Sequence, residues 1–266
     1  MSLDRILSTT RVLVLAAVAV VAASLVAAPA LADADAASYV AAIESAHGGA
    51  VYGAQQAVAA EIVVEFGGQT ILQGTMLFDP AVSKVRMELV GGSVIVFDGA
   101  DAWVAGPEVP RARFHVLTWP YFFAAPFKLD DPGTHVESLG KVAWRGDALP
   151  AVELTFGDGV GDSPDDWYVV YRDPSTHRLS GLGYIVTYGT SVEQAEAEPH
   201  AVSYDAYTEI GDGVSVATDW SFWNWNREEG LFGDPIGRAT ISNPRFTTPA
   251  DDAFAAPAGA TKIAAP

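Results

Sequence analysis

The stretch Glu61-Ile62-Val63-Val64-Glu65-Phe66 has an apolar residue at every second position and glutamate at two of the positions between. The stretch Lys84-Val85-Arg86-Met87-Glu88-Leu89 repeats this alternation, with charged residues at all three positions between the apolar ones. A period of two is typical of antiparallel strands that pack one face against a core and expose the other to water. The two stretches therefore predict a sheet with one apolar face.

Similar strand-like segments follow at short intervals along the chain. They span 70–78, 93–98, 142–145, 151–156, 167–172, 179–187, 201–209, 213–225 and 236–246. Turn signals such as Asp79-Pro80 and Gly91-Gly92 separate them. One segment, 36–46, has the composition of a helix and ends at Gly48-Gly49, where glycine can adopt the left-handed conformation. We predict a mainly β (α+β) fold, with one large curved antiparallel sheet of about 11 strands that forms an unclosed β-barrel, and an N-terminal helix.

Residues 105–135 interrupt the strand pattern. Pro120 and Pro126 exclude a regular central strand there, because proline has no N–H to donate to a neighbouring strand. The aromatic residues around these prolines need an apolar environment; they are Trp119, Tyr121, Phe122, Phe123 and Phe127. Two interpretations stay open: the segment is a loop or short helix that plugs one end of the sheet, or it is a lid over a hydrophobic cavity.

The N-terminus has the three parts of a secretory signal peptide. Arg5 and Arg11 provide positive charge, and 12–26 is almost wholly apolar. The following Ala28-Pro29-Ala30-Leu31-Ala32 has small residues at the positions that a signal peptidase requires. The apolar run is shorter than the roughly 20 residues that cross a bilayer. We predict a signal peptide at 1–32 and a mature form without a transmembrane segment.

The composition limits the partners of the mature chain. Removing residues 1–32 takes away two of the 15 basic and one of the 33 acidic side chains, which leaves a net charge of about −19. Such a surface repels nucleic acid and anionic lipid headgroups. The chain has no cysteine, which excludes disulfides and a lipid-anchored cysteine. We predict a soluble periplasmic or secreted protein, with one domain at 33–257 and a loose C-terminal tail at 258–266.

The sequence contains no recognisable catalytic motif, and its five histidines are not at metal-ligand spacing. We therefore predict that the protein is not an enzyme and uses no cofactor. His47 directly follows the helix, and it is either a capping or packing residue or part of a site. Arg111, Arg113 and His115 precede the aromatic segment and are further polar candidates for a site.

The densest acidic segment contains Asp158, Asp162, Asp165 and Asp166. One interpretation is a solvated hairpin loop. Another is a weak calcium site, because carboxylates bind hard cations, although the spacing does not match an EF-hand loop. Paired carboxylates also act as acid and base in glycosidases.

The stretch Trp220-Ser221-Phe222-Trp223-Asn224-Trp225-Asn226 is rich in aromatic residues. In a strand, Trp220 and Phe222 share one face, and Trp223 and Trp225 share the other. One pair packs in the core. The other either covers an edge or, beside the two asparagines, forms a platform on which sugars stack. Together with the acidic segment, such a platform leaves a carbohydrate-active hydrolase open as a function.

Several motifs in this order resemble a known family. Trp167 to Leu179 comprises a strand, the turn Asp173-Pro174-Ser175-Thr176 and the start of another strand, and Ile241 to Phe246 precedes Asp251-Asp252-Ala253-Phe254. The chain resembles the LolA/LolB/LppX-like superfamily of envelope lipoprotein carriers. Within it, Ala46-His47-Gly48-Gly49 and the aromatic segment Thr118 to Leu129 are similar to marks of an uncharacterised bacterial family.

This resemblance implies an unclosed β-barrel whose concave face, covered by helices, holds acyl chains or other hydrophobic ligands. One feature departs from the lipoprotein carriers, which place an arginine at the cavity on an early strand. The earliest strand arginine here is Arg86, which alternation places on the face opposite Val85 and Met87. The fold can persist through such a change, because function depends on the site and not on the fold.

We predict a non-enzymatic periplasmic protein that binds a lipid or lipid-like ligand, with envelope lipoproteins as candidate partners. The predicted cavity lining is Ile62, Val64, Phe66, Val85, Met87 and Leu89. The predicted cover is Trp119, Tyr121, Phe122, Phe123 and Phe127. The alternatives are an envelope scaffold whose interior is filled and the carbohydrate-active hydrolase.

Overall fold

The computed structural model describes residues 28–265, so most of the predicted signal peptide lies outside the described residues. The helices are α1 (Ala28–His47), α2 (Gly49–Gly53), α3 (Ala112–Ala124) and α4 (Val192–Ala197). The strands are β1 (Ala57–Phe66), β2 (Gln69–Phe78), β3 (Val85–Leu89), β4 (Val94–Phe97), β5 (Ala102–Ala105), β6 (Thr134–Trp144), β7 (Asp147–Phe156), β8 (Trp167–Arg172), β9 (Leu179–Tyr184), β10 (His200–Glu209), β11 (Ser215–Asn226), β12 (Gly230–Thr247) and β13 (Thr261–Ile263). A 3₁₀ turn, Ala125–Phe127, follows α3.

All 13 strands belong to one antiparallel sheet, in the order β13-β5-β4-β3-β2-β1-β12-β11-β10-β9-β8-β7-β6. Almost every strand pairs with its neighbour in sequence, and β12 returns to pair with β1. Within residues 28–265, β13 and β6 each pair on one side only, so the sheet is not closed. The prediction of a mainly β fold with a large open antiparallel sheet is confirmed.

The register places the alternating apolar residues on the face that the helices cover, which we call the concave face. Val64, Val85 and Met87 have no exposed surface. Arg86, between two of them, forms an ion pair with Glu88 at 2.8 Å on the opposite face. The period-two pattern therefore identifies the inward face of β1 and β3 correctly.

Helix α1 packs along the concave face. Ala36, Val40 and Ile43 are buried, and their spacing of three and four residues places them on one side of the helix. The chain turns at Gly48, which has a φ of +79°. A Cβ at this position would lie 2.9 Å from the Gly213 carbonyl oxygen, so glycine meets both the backbone and the space requirement. Helix α1 begins before the predicted segment 36–46 and includes the predicted cleavage position.

Two short strands extend the sheet beyond the strands that the sequence predicts. In β5, Ala102 to Val104 pair with Ile263 to Thr261 of β13. Three residues of the segment 258–266, Thr261–Ile263, thus form an edge strand. Short strands at a sheet edge bury little surface and so carry little hydrophobic pattern.

The proline-containing segment forms helix α3 and the 3₁₀ turn that follows it. Pro120 lies inside α3 and is buried. It removes only one helical hydrogen bond, the one to the carbonyl of residue 116, four positions earlier. Packing of the aromatic side chains against the sheet offsets this loss. The segment is therefore a short helix, which is the form that the plug interpretation predicts. No helix between residues 28 and 265 is both long and apolar enough to cross a membrane.

The convex face has its own small core beside β9. Trp144, Tyr171 and Trp225 are buried there. The rings of Trp144 and Trp225 lie directly against Gly181 and Gly183 of β9, where a Cβ atom would approach within 2.4 and 2.7 Å respectively. Aromatic rings thus occupy the space that two side chains would take in an ordinary strand.

We expect Gly181→Ala to lower the free energy of unfolding by about 2 kcal/mol or more, because overpacking displaces Trp144 or the strand itself. The new Cβ would lie 2.4 Å from the Val202 carbonyl oxygen as well, so a rotamer change of Trp144 alone does not relieve the clash. Gly53→Ala is the control, because a Cβ atom added there would have nothing within 4 Å. Urea unfolding followed by tryptophan fluorescence measures both, and equal values for the two variants would contradict this prediction.

Candidate functional site

A cavity of about 1440 Å³ lies between α3 and the concave face of the sheet. Ligand pockets for drug-sized molecules span about 300–1,000 Å³, so this space exceeds the usual range. Aromatic and aliphatic side chains form most of its wall, and polar residues occur at its rim. The cavity is partly open to solvent, so a ligand can enter without unfolding of the sheet.

Helix α3 forms one wall of the cavity. Phe114, Leu117 and Tyr121 line it, and their spacing of three and four residues places them on one side of the helix. Val116 and Phe123 lie on the other side, where both are buried in the core. The helix therefore has apolar residues on both sides, because one side packs against protein and the other faces the cavity.

The sheet forms the opposite wall, and its cavity-facing side chains come from strands that are distant in sequence. They are Phe66, Phe156, Tyr168, Tyr184, Phe222 and Ile236. Their rings contact those of α3: the centroids of Tyr121 and Tyr168 are 5.8 Å apart, and those of Phe122 and Tyr184 are 5.2 Å apart. The two walls thus meet through aromatic contacts at the inner end of the cavity.

The rim carries the predicted polar candidates of α3. The guanidinium of Arg111 lies 4.2 Å from the centre of the Phe114 ring, in cation–π contact. Arg113 is buried, and its Nε and Nη2 donate to Asp162 Oδ2 and Oδ1 at 2.5 and 2.8 Å. This two-bond pair joins α3 to the acidic segment and compensates the charge of Asp162.

His115 also lines the cavity. The indole N–H of Trp119 donates to His115 Nδ1 at 3.0 Å, so Nδ1 carries no proton and Nε2 does. Burial, together with the charge of Arg111, lowers the pKa of His115 to about 4. His115 is therefore neutral at physiological pH, and it adds a hydrogen-bond donor to the wall without adding a charge.

His47 lies away from the cavity, in the core beneath α1. Its Nδ1–H donates to the Ser215 carbonyl oxygen at 2.7 Å. The N–H of Leu179 donates to its Nε2 at 3.0 Å. Burial lowers the pKa of His47 to about 4. This arrangement matches the capping or packing role among the two roles that we considered for His47.

Buried His47 and partly buried His115 make stability depend on pH. The pKa of each falls from 6.5 in the unfolded chain to about 4 in the folded protein. Stability is therefore fully present above pH 6.5 and decreases as the pH falls toward 4, because the unfolded chain binds the protons first. Glu44 acts in the opposite direction, since burial and Asp130 raise its pKa from 4.5 to about 8.

We expect acidification from pH 7 to pH 5 to lower the free energy of unfolding by about 2 kcal/mol through His47 alone. The measurement is urea unfolding across this range in the Glu44→Gln variant, which removes the opposing titration. Adding His115→Gln to the Glu44→Gln variant shows how much of the change in the free energy of unfolding comes from His115. A free energy of unfolding that stays constant from pH 7 to pH 5 in Glu44→Gln would show that neither histidine titrates as described.

The predicted lining residues divide between the cavity and the core. Phe66 lines the cavity, whereas Ile62, Val64, Val85 and Met87 are fully buried under the helices. Leu89 is partly buried against the same core. Among the predicted cover residues, Trp119, Tyr121 and Phe122 line the cavity.

The remaining two cover residues pack into protein. Phe123 contacts Phe78, with ring centroids 5.4 Å apart. Phe127 stacks on Tyr52 at 3.8 Å. Both anchor α3 and its 3₁₀ turn, and so they support the cavity without lining it.

The acidic segment does not form a cation-binding cluster in the described part of the chain. Asp162 pairs with Arg113, and Asp166 accepts hydrogen bonds from Thr187. Asp158 and Asp165 are exposed. Across residues 28–265, no three histidine, aspartate or glutamate side chains converge as metal ligands would.

The tryptophans of β11 do not form an exposed platform. Trp220, Phe222 and Trp225 are each only 1% exposed, because Trp225 packs in the core of the convex face. Trp223 is partly exposed and donates to the Ser203 hydroxyl at 3.0 Å. A sugar that stacks on Trp223 and Trp225 would need an exposed face on each ring. Trp225 is buried and offers none.

Comparison with known proteins finds solved structures of similar fold. No protein-family model and no curated protein matches the sequence. Among solved structures, the crystal structure of a LolA superfamily protein from Nitrosomonas europaea matches with a TM-score of 0.53 and 12% identity, over 82% of this chain and 96% of that one. The fold is LolA-like. The LolA-like fold that the resemblance implied is therefore confirmed.

Two further solved structures match at lower TM-scores. A putative outer membrane lipoprotein-sorting protein domain from Vibrio parahaemolyticus has a TM-score of 0.48 at 13% identity, over 80% of this chain and 95% of that one. A DUF1329 family protein from Desulfovibrio piger has a TM-score of 0.47 at 15% identity, over the same shares. Both TM-scores are below 0.5, so the likeness in fold stated above depends on the first structure.

Proposed function

We propose that the protein is a non-enzymatic carrier that binds a lipid, an acyl chain or another hydrophobic ligand in the cavity between α3 and the sheet. The observation that supports this proposal is the cavity itself. At about 1440 Å³ it is larger than a packing defect and larger than most small-molecule pockets, and its walls are mainly apolar. A ligand that buries this apolar surface gains hydrophobic free energy in proportion to the area removed from water.

The relatives and the charge are consistent with this role. One structure of similar fold is a LolA superfamily protein, and another is named as a lipoprotein-sorting domain. We extend the envelope setting to this chain: it is exported by the signal peptide at 1–32, cleaved after Ala32 and released into the periplasm. The strong negative charge favours solubility of a protein that presents an apolar cavity.

The two alternative functions have less support. A scaffold with a filled interior requires a packed space where the cavity lies. A carbohydrate-active hydrolase requires an aromatic platform beside paired carboxylates, and Trp225 is buried on the convex face. Envelope lipoproteins remain candidate cargo, because an acyl chain attached to a protein presents the same apolar surface as a free lipid.

A binding titration tests the proposal. The uncharged probe N-phenyl-1-naphthylamine fluoresces strongly in apolar sites, and we expect it to bind with a micromolar dissociation constant. A long-chain fatty alcohol should displace it competitively. If the probe gives no saturable signal and no long-chain competitor binds at micromolar concentration, the cavity is not a lipid-binding site.

A further inference from the structure

Three partly buried carboxylates line the cavity, and two of them have a cationic partner within the protein. Lys128 pairs with Asp131, and Arg113 pairs with Asp162. Asp166 is the exception: among residues 28–265 no lysine or arginine lies within ion-pair distance of it. The protein thus compensates two of these charges and leaves the third without a counter-ion.

The hydrogen bonds of Asp166 use only one of its oxygens. Oδ1 accepts from the backbone N–H and the hydroxyl of Thr187 at 2.6 and 2.7 Å. Oδ2 accepts no hydrogen bond from any of the described residues, although Asp166 is a lining residue of the cavity. This oxygen is accessible from the cavity, so it is free to accept a hydrogen bond from a ligand.

Three tyrosines line the cavity near Asp166. Tyr168 lies between Tyr121 and Tyr184, with ring centroids 5.8 and 6.1 Å away. No described residue forms a hydrogen bond with the hydroxyls of these three tyrosines. Burial raises the pKa of each tyrosine, and the charge of Asp166 contributes to the rise in all three. The hydroxyls therefore stay protonated and lie near the carboxylate.

These groups together suit a cation that donates hydrogen bonds. A carboxylate attracts positive charge, aromatic ring faces do the same, and phenolic oxygens accept N–H donors. Arg111 at the rim does not need an anionic ligand, because it is exposed and water solvates its charge. Asp166 is thus the carboxylate of the cavity wall that a cationic ligand would compensate.

We propose that the ligand is an amphiphile with a primary ammonium group, which binds Asp166 Oδ2 beside Tyr121, Tyr168 and Tyr184 while its apolar chain lies along α3. This inference rests on the proposed function, since it names the head of the ligand that the apolar cavity holds. The proposed ligand is a lipid amine and not a small free amine, because only a lipid amine also has an apolar chain that contacts the cavity walls.

Competition against bound N-phenyl-1-naphthylamine tests the inference with three compounds. We expect dodecylamine to displace the probe from the wild-type protein at about one tenth of the concentration that dodecanol needs. Asp166→Asn should remove this preference and leave dodecanol unchanged. The control Asp165→Asn makes the same charge change at an exposed neighbour and should keep the preference. Ethanolamine should not displace the probe at these concentrations.

Several results would overturn the inference. These are equal displacement by dodecylamine and dodecanol in the wild type, an unchanged preference in Asp166→Asn, an equal loss in Asp165→Asn, or displacement by ethanolamine alone. If Asp166→Asn does not fold, the double variant Tyr168→Phe and Tyr184→Phe, which removes two hydroxyls, should reduce the preference about threefold. Failure of both the probe and dodecanol to bind would instead refute the proposed function.

Discussion

Glutamate at both Leu117 and Ile236 weakens the binding of an uncharged long-chain probe by about 30-fold. Leu117 lies on α3 and Ile236 on β12, so the two positions belong to opposite walls of the cavity. A chain that lies in the cavity must contact at least one of them. Desolvating a carboxylate costs at least 1 kcal/mol, and about 2 kcal/mol for the pair corresponds to the stated loss of affinity.

The matched control places glutamate at Val90 and Phe232. Both are exposed hydrophobic residues, at 72% and 38%, and neither lines the cavity. The control therefore changes the net charge by the same amount without altering the cavity wall. Fluorescence titration of both double variants, after circular dichroism shows that they are folded, measures the difference. Similar affinities for the two would mean that the probe binds elsewhere.

Replacing His47 with leucine lowers the free energy of unfolding by about 3–5 kcal/mol. The imidazole is fully buried and connects α1 to two strands, through the Ser215 carbonyl of β11 and the Leu179 N–H of β9. Leucine has a similar volume but no polar atoms, so two buried backbone groups lose their partners. Each unsatisfied group costs about 1–3 kcal/mol.

Two comparisons separate this effect from a general effect of losing histidine. His135→Leu, at an exposed position of β6, should change stability by less than about 0.5 kcal/mol. His47→Gln keeps a donor and an acceptor, so it should recover part of the stability that leucine loses. Urea unfolding at pH 7.5 measures all three. A loss below about 1 kcal/mol for His47→Leu would contradict the assigned hydrogen bonds.

The alternation of β1 and β3 predicts the fold well because charged and apolar residues differ sharply there. Glu61, Arg86 and Glu88 identify the outward face without ambiguity. The same logic cannot find the cavity wall of β8. Tyr168 faces the cavity, while Val169 and Tyr171 face the convex core, so both faces of that strand are apolar. A strand buried on both faces has no polar contrast to assign its direction.

The sequence pattern predicts the sheet but not the position of the cavity. Alternation identifies Ile62, Val64, Val85 and Met87 as inward, but it does not say whether helices or empty space lie above them. Helix α3 packs against β3, and all four residues belong to the main core. The cavity opens instead over β7, β8 and β9, where Phe156, Tyr168 and Tyr184 line it. Only the path of α3 across the sheet decides this division, and that path depends on contacts between distant parts of the chain.

The composition of the aromatic segment predicts a plug or a lid. In the structure, helical periodicity separates the residues that face the cavity from those that face the core. Residues 114, 117 and 121 face the cavity, whereas Val116 and Phe123 face the core. The prolines hid this periodicity, since Pro120 ordinarily argues against a helix. The sequence singles out Asp166 and Tyr121 in separate segments, but it does not predict that they meet Tyr168 and Tyr184, because these tyrosines come from α3, β8 and β9.

Native mass spectrometry of the protein purified from membrane-containing cells tests the central claim most directly. We predict that the gently ionised protein carries a non-covalent ligand with the mass of a lipid, and that solvent extraction releases it. The Leu117→Glu and Ile236→Glu double variant should carry much less, and the Val90→Glu and Phe232→Glu control should carry as much as the wild type. Wild-type protein that shows only its own mass, and binds no long-chain compound afterwards, would contradict the claim that the cavity holds a hydrophobic ligand.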